Sequence, residues 1–130
     1  MNNFTTSQEE FWAGKFGSGY ISRNNSKEIT KSNVVFFSNI LMSLNKIDSV
    51  LELGCNVGLN LDALSLIDSS ISLSGVELNQ EAANIAVKKK VATIYQQTIV
   101  EPFDLEATYD LSFTKTVLIF INAYYVKFFF

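Results

Sequence analysis

One short segment combines an acidic residue with two glycines at a spacing that suits ligand binding. It reads Glu52-Leu53-Gly54-Cys55-Asn56-Val57-Gly58 and follows a short apolar run. Glycine at the end of a buried strand allows a tight turn and lets the backbone approach a ligand without an intervening Cβ atom. A helix that begins after this turn directs free N–H groups and a partial positive charge at the same place. The segment therefore predicts a pocket for a polar or anionic group.

A second carboxylate follows at the distance expected for a nucleoside site. Glu77 stands nineteen residues after Gly58, at the end of a second predicted strand. An acid about 20 residues beyond a glycine turn can accept hydrogen bonds from both hydroxyls of a ribose. The plainer alternative is an ordinary strand-to-helix turn with a solvated Glu77 side chain.

Two nucleoside cofactors fit a strand, a glycine turn, a helix and a later acid. Nicotinamide sites have glycine at the middle position of G-x-G-x-x-G, where this chain has Asn56, and a side chain there hinders the pyrophosphate. The pattern from Glu52 to Gly58 instead resembles the first motif of class I S-adenosylmethionine-dependent methyltransferases, Glu/Asp-x-Gly-x-Gly-x-Gly. We therefore expect S-adenosylmethionine, rather than NAD, as the cofactor.

Three further segments resemble one particular family within these methyltransferases. They are Phe11-Trp12-Ala13-Gly14-Lys15-Phe16-Gly17, Phe113-Thr114-Lys115 and Val117-Leu118-Ile119. Together with the glycine motif they look like the methyltransferases associated with pseudaminic acid biosynthesis. The resemblance implies methyl transfer to a small-molecule acceptor, a sugar or sugar-nucleotide used in surface-glycan biosynthesis.

The resemblance also implies which residues hold the cofactor. The glycine loop and Glu77 would bind it, residues after the third and fourth strands would lie near the adenine and the methionine end, and the N-terminal segment would close as a lid. The implied residues are Glu52, Gly54, Asn56, Gly58, Glu77, Gln97, Thr98, Thr114, Tyr20 and Arg23. In the lid, Arg23 could pair with the methionine carboxylate through a forked contact. Lys115 would either lie near the methionine end or cap a helix in solvent.

The chain departs from this family where catalysis is expected. Phe120 stands in place of the family's histidine, and Thr116 in place of its usual glycine. No catalytic residue is therefore assigned, with Tyr20 and Glu10 the only candidates for a base. The related enzymes also look longer. The alternatives to an active enzyme are a truncated, inactive cofactor-binding fragment and a half-domain that a partner chain completes.

The elements that must position these residues alternate between strands and helices. Strands are predicted at 49–53, 71–76, 91–95 and 109–114, and helices at 33–45, 59–67 and 80–90. This alternation is typical of a parallel sheet with right-handed crossovers. The expected fold is α/β: a partial Rossmann-like methyltransferase fold with a mostly parallel sheet of about four strands and flanking helices.

An N-terminal helical prelude precedes this core. Residues 8–20 carry aromatic residues at helical spacing and then several glycines, which predicts a short helix followed by a turn. Glu9 and Glu10 are expected at its solvated start. We expect one incomplete domain over residues 1–130, with the prelude or lid in 1–33 and the N-terminal part of the methyltransferase core in 34–130.

Composition excludes several classes of site. The 130 residues contain no histidine and one cysteine, Cys55, which rules out histidine-based nucleophile systems and an intramolecular disulfide, and leaves no metal site to expect. One cysteine suits a cytoplasmic location. A net charge of -3 argues against nucleic acid as a partner. The apolar residues 117–130 fall short of the roughly 20 that span a bilayer, so we expect self-association through them rather than membrane insertion.

Overall fold

The computed structural model describes residues 4–24, 26–101, 105 and 107–117. Five helices lie in these ranges: α1 (Ser7–Ala13), α2 (Lys15–Asn24), α3 (Lys27–Met42), α4 (Leu59–Ile67) and α5 (Gln80–Lys88). The strands are β1 (Ser49–Leu53), β2 (Ser72–Val76), β3 (Thr93–Tyr95) and β4 (Leu111–Phe113).

The four strands form one sheet in the order β3-β2-β1-β4, and every neighbouring pair is parallel. In the register, Leu53 pairs with Val76, and Val76 pairs with Tyr95. The carboxyl ends of the strands therefore meet at one edge, and the loops that follow them lie side by side. The predicted α/β fold with about four parallel strands is confirmed.

The core lies between the sheet and the two helices α3 and α4. Phe37 of α3 packs its ring against Phe113 of β4, with 5.1 Å between ring centroids. Leu61 and Leu64 of α4 are among the most deeply buried side chains. Val50, beside them in the same cluster, is fully buried. Burying apolar surface on this side fixes the direction in which β1 presents the loop that follows it.

The N-terminal prelude has the predicted short helix and turn, followed by a second helix that was not predicted. Helix α1 ends at Ala13 with a turn at Gly14, and α2 then continues through both Gly17 and Gly19. Gly17 is needed for close packing, since a Cβ atom there would stand 1.7 Å from the carbonyl oxygen of Trp12. The second helix was not predicted because glycine has a low helix propensity, a cost of about 1 kcal/mol per residue that the packing outweighs here.

The remaining element boundaries shift by a few residues. β1 and α4 have the predicted limits, whereas α3 begins at Lys27, where Ser26 caps it by accepting from the Ile29 N–H. Helix α5 ends at Lys88 rather than Lys90. Among the described residues no helix is long and apolar enough to cross a membrane. Residues 118–130, most of the segment expected to self-associate, lie outside the described residues.

Candidate functional site

A cavity of about 220 Å³ lies at the carboxyl edge of the sheet. Its wall includes the loops that follow all four strands, and the prelude helices α1 and α2 contribute Trp12, Gly17 and Tyr20. The parallel topology explains this position, because in open α/β sheets the crevice for ligands lies at the carboxyl ends of the strands.

The glycine loop lies directly beneath the cavity. Gly54 and Gly58 have φ values of 77° and 85°, in the left-handed region that favours glycine. At Gly54 a Cβ atom would also stand 2.5 Å from Cγ2 of Val117. Gly58 is the N-cap residue of α4 and has no side chain to accept a hydrogen bond. No capping side chain therefore accepts from the N–H groups in the first turn of α4. The loop therefore has the tight turn at glycine that the sequence predicted, and the approach of its backbone to a ligand stays a prediction.

Glu77 is fixed in place by backbone N–H groups on two sides. One carboxylate oxygen accepts from the Asn56 N–H at 2.7 Å, and the other accepts from the Asn79 N–H at 2.8 Å. Burial raises the pKa of Glu77, and these hydrogen bonds oppose the rise. Each oxygen keeps capacity for a further hydrogen bond. The half-buried side chain lines the cavity, so it is not the solvated acid of the plainer alternative.

Glu52 places a nearly isolated carboxyl group against the same cavity. Its side chain is 1% exposed, and Oε1 accepts from Asn60 Nδ2 at 2.5 Å. Oε2 has no hydrogen-bond partner among the described residues. Burial raises the pKa of Glu52 from 4.5 to about 8, with a smaller contribution from the negative charge of Glu77, while Asn60 and Lys115 oppose it. Sequence reasoning included Glu52 but missed Asn60, the second residue of α4.

The prelude is fastened over the cavity by polar contacts. Asn79 Nδ2 donates to the Trp12 carbonyl at 2.9 Å and to the Ala13 carbonyl at 3.3 Å, at the end of α1. The Thr98 hydroxyl donates to the Glu9 carboxylate. Glu9 is only 7% exposed, so its expected solvated position was wrong, whereas Glu10 is exposed.

Asn79 was not among the residues predicted from the sequence, although it makes hydrogen bonds to α1, to α5 and to Glu77. Its side-chain oxygen accepts from the Ala82 N–H at 3.0 Å and caps α5, while its amide group holds the prelude. Its backbone N–H donates to Glu77. An Asn before a helical segment is a recognisable capping signal, but its contact with α1 spans 67 positions and has no local pattern.

Seven of the ten predicted site residues line the cavity, and Gly58, Thr114 and Arg23 do not. Gln97 and Thr98 line the wall, and Nε2 of Gln97 is buried without a hydrogen-bond partner in the described part of the chain. Thr114 is not on the wall, although its hydroxyl is buried and unpartnered there. Arg23 is also absent from the wall: it is exposed and lies 5.6 Å from the ring centre of Phe16.

Two positions flagged by composition and resemblance also have clear structural roles. Cys55 is buried, and burial raises the pKa of its thiol, so it packs rather than reacts. Thr116 has a φ of 64°, which is unfavourable for a β-branched residue and accounts physically for a preference for glycine at this position. No group of three or more potential metal ligands occurs within the described ranges.

Solved structures share the fold of this chain, although no protein-family model and no curated protein match the sequence. The plantazolicin methyltransferase BpumL in complex with SAH aligns with a TM-score of 0.62 and 23% identity, over 83% of this chain and 45% of that one. This chain has a Rossmann-like methyltransferase fold. The predicted fold family is thereby confirmed.

Two further methyltransferase structures agree. BpumL in complex with a triazolic desmethylPZN analog and SAH aligns with a TM-score of 0.55 and 27% identity, over 74% of this chain and 38% of that one. The methyltransferase domain of bacterial CtHen1-C aligns with a TM-score of 0.61 and 19% identity, over 76% of this chain and 56% of that domain. The chain thus spans less than half of BpumL and about half of the CtHen1-C domain.

Proposed function

We propose that the cavity binds S-adenosylmethionine for methyl transfer. The observation that carries the proposal is the Glu77 carboxylate, which the glycine loop holds at the cavity wall through the Asn56 N–H while capacity to accept remains on both oxygens. That capacity matches the two hydroxyls of a ribose. Gly54, on the same wall, leaves the backbone there without a side chain.

The chemistry of the other wall residues fits this cofactor. Glu52 has a buried oxygen without a partner, which suits the ammonium group of the methionine part, and Gln97 has a buried amide nitrogen without one, which suits an acceptor on the adenine. The carboxylates of Glu9 and Glu77 give the wall an acidic character. A sulfonium cofactor carries positive charge, whereas the pyrophosphate of NAD carries negative charge, so the charges favour the sulfonium cofactor.

In this proposal the residues of the chain position the cofactor and do not themselves react with it. S-adenosylmethionine supplies a methyl group on a sulfonium, which an acceptor displaces. Glu77 and the glycine loop would orient the nucleoside, and Trp12 and Tyr20 on the prelude would exclude water from the site. Of the two candidate bases, Tyr20 lies on the wall and Glu10 does not. No catalytic residue is assigned.

The methyl acceptor is a separate part of the proposal. A sugar or sugar-nucleotide in pseudaminic acid biosynthesis, in the cytoplasm, is supported by the sequence resemblance alone. The second candidate function is cofactor binding without turnover, or with turnover once a partner chain completes the domain. It is supported by the chain spanning 45% of BpumL. Transfer of a labelled methyl group from S-adenosylmethionine to sugar-nucleotides distinguishes the candidates.

Calorimetric titration with SAH and with NAD tests the cofactor assignment. We expect one SAH site per chain and no heat with NAD. Glu77→Gln should weaken SAH binding at least about tenfold, because the amide nitrogen cannot accept from one ribose hydroxyl and the remaining oxygen carries no charge. Glu81→Gln, an exposed acid on α5, is the matched control and should bind normally. Heat with NAD alone, or unchanged SAH affinity in a folded Glu77→Gln variant, would refute the assignment.

A further inference from the structure

Lys115 is the only basic residue among the described residues that line the cavity. It follows β4 and is half-buried. Its Nζ donates to Asn33 Oδ1 at 3.1 Å and lies 5.6 Å from the ring centre of Phe36, both on α3. Lys115 is thus held by an amide and an aromatic ring, neither of which carries a negative charge.

No carboxylate in the described part of the chain forms an ion pair with the Lys115 ammonium. Within the described ranges Lys115 forms no ion pair at 4.0 Å or less, the three pairs there being Lys31–Glu28, Lys46–Asp48 and Lys89–Asp62. Glu52 is close enough for the charge of Lys115 to oppose the rise of its pKa. A half-buried ammonium without a contacting carboxylate gains most from an anion that a ligand brings.

Sheet topology sets how far this cation lies from the ribose position. Glu77 follows β2 and Lys115 follows β4, with β1 and its glycine loop between them. Adjacent strands lie about 4.8 Å apart, so the two loops start about 10 Å apart. A nucleoside held at Glu77 with a flexible tail laid across the glycine loop would bring the end of that tail to Lys115.

We propose that Lys115 binds the α-carboxylate on the amino-acid tail of the cofactor, with Asn33 and Phe36 as positioning residues. The inference depends on the proposed cofactor assignment. It gives Lys115 the partner that the sequence suggested for Arg23, whose side chain is exposed and lies off the cavity wall. Because Asn33 is 4% exposed and anchored in α3, the ammonium is preorganised before the ligand arrives.

Two ligands that differ only in the tail test this proposal. SAH carries the amino-acid tail, and 5′-deoxy-5′-methylthioadenosine lacks it. In calorimetry, Lys115→Met should weaken SAH binding about tenfold to a hundredfold, the loss of one charge-assisted hydrogen bond, and leave methylthioadenosine affinity unchanged. Lys115→Arg should retain most of the SAH affinity. Lys88→Met, an exposed lysine on α5, is the matched control and should bind both ligands normally.

Each other outcome has a distinct meaning. Unchanged SAH affinity in Lys115→Met overturns the proposal, and would direct the cation to an anion of the methyl acceptor instead. Equal weakening of both ligands also overturns it, because methylthioadenosine has no carboxylate to lose. If the wild-type chain binds neither ligand, the cofactor assignment itself fails, and that result is separable from a failure of the Lys115 inference.

Discussion

Replacing Glu52 by glutamine should stabilise the protein at neutral pH while weakening its cofactor site. The folded chain holds the Glu52 proton up to about pH 8, whereas an unfolded carboxyl loses it near pH 4.5. Between these values the folded state binds more protons than the unfolded state, so stability falls as pH rises through this window. Glutamine keeps a similar shape and never has to ionise.

The expected size follows from the same shift. From pH 4.5 to pH 7 is an interval of about 2.5 units, and each unit is worth about 1.4 kcal/mol. Glu52→Gln should therefore be more stable than wild type by up to about 3 kcal/mol at pH 7, and nearly equal to it at pH 4.5. Glu77, whose pKa is also raised, is present in both proteins and cancels in the comparison.

Urea unfolding followed by circular dichroism at pH 4.5, 6 and 7.5 measures this difference. Glu81→Gln, an exposed carboxylate, is the control and should show no pH-dependent gain. SAH affinity of Glu52→Gln should fall, because the cofactor ammonium favours the ionised form of Glu52, which glutamine cannot adopt. A stability difference from wild type that stays constant across this pH range would refute the account of Glu52.

Three further substitutions test the glycine loop, the docking of the prelude and the end of α5. Gly54→Ala should destabilise the fold by roughly 1–3 kcal/mol, because φ is 77° and the new Cβ meets Val117, whereas the helical control Gly19→Ala should stabilise it by about 0.5–1 kcal/mol; chemical denaturation measures both. Asn79→Asp keeps the cap of α5 but loses the amide donor to α1, so limited proteolysis should cut the prelude faster, and unchanged cleavage would count against its docking role. Lys90→Gly should raise stability by about 1 kcal/mol, because Lys90 has a φ of 58° just after α5, and a lower midpoint in urea would contradict this.

The glycine loop and its two flanking elements were predictable because their signals are local. Gly54 ends β1 and Gly58 begins α4 in the sequence pattern, and both have the positive φ that the pattern requires. The alternation of strands and helices in the sequence likewise predicted the parallel sheet. Glu77 could be placed on the wall because the end of β2 must lie beside the end of β1.

The prelude was harder because its conformation depends on residues far along the chain. Gly17 remains helical through its close packing on Trp12 and beside the Asn79 amide. Glu9 has a local signal, the capping box with Thr6, but its contact with the Thr98 hydroxyl spans 89 positions. Spacing along the chain predicts none of these distant contacts, and the same limit applies to the exposed position of Arg23 and to the contact of Lys115 with Asn33.

A crystal structure of the chain with SAH tests the central claim most directly. We expect the ribose hydroxyls within hydrogen-bond distance of Glu77, with the nucleoside lying over the loop from Gly54 to Gly58. SAH bound elsewhere on the chain, or in the cavity with its ribose turned away from Glu77, would contradict the account.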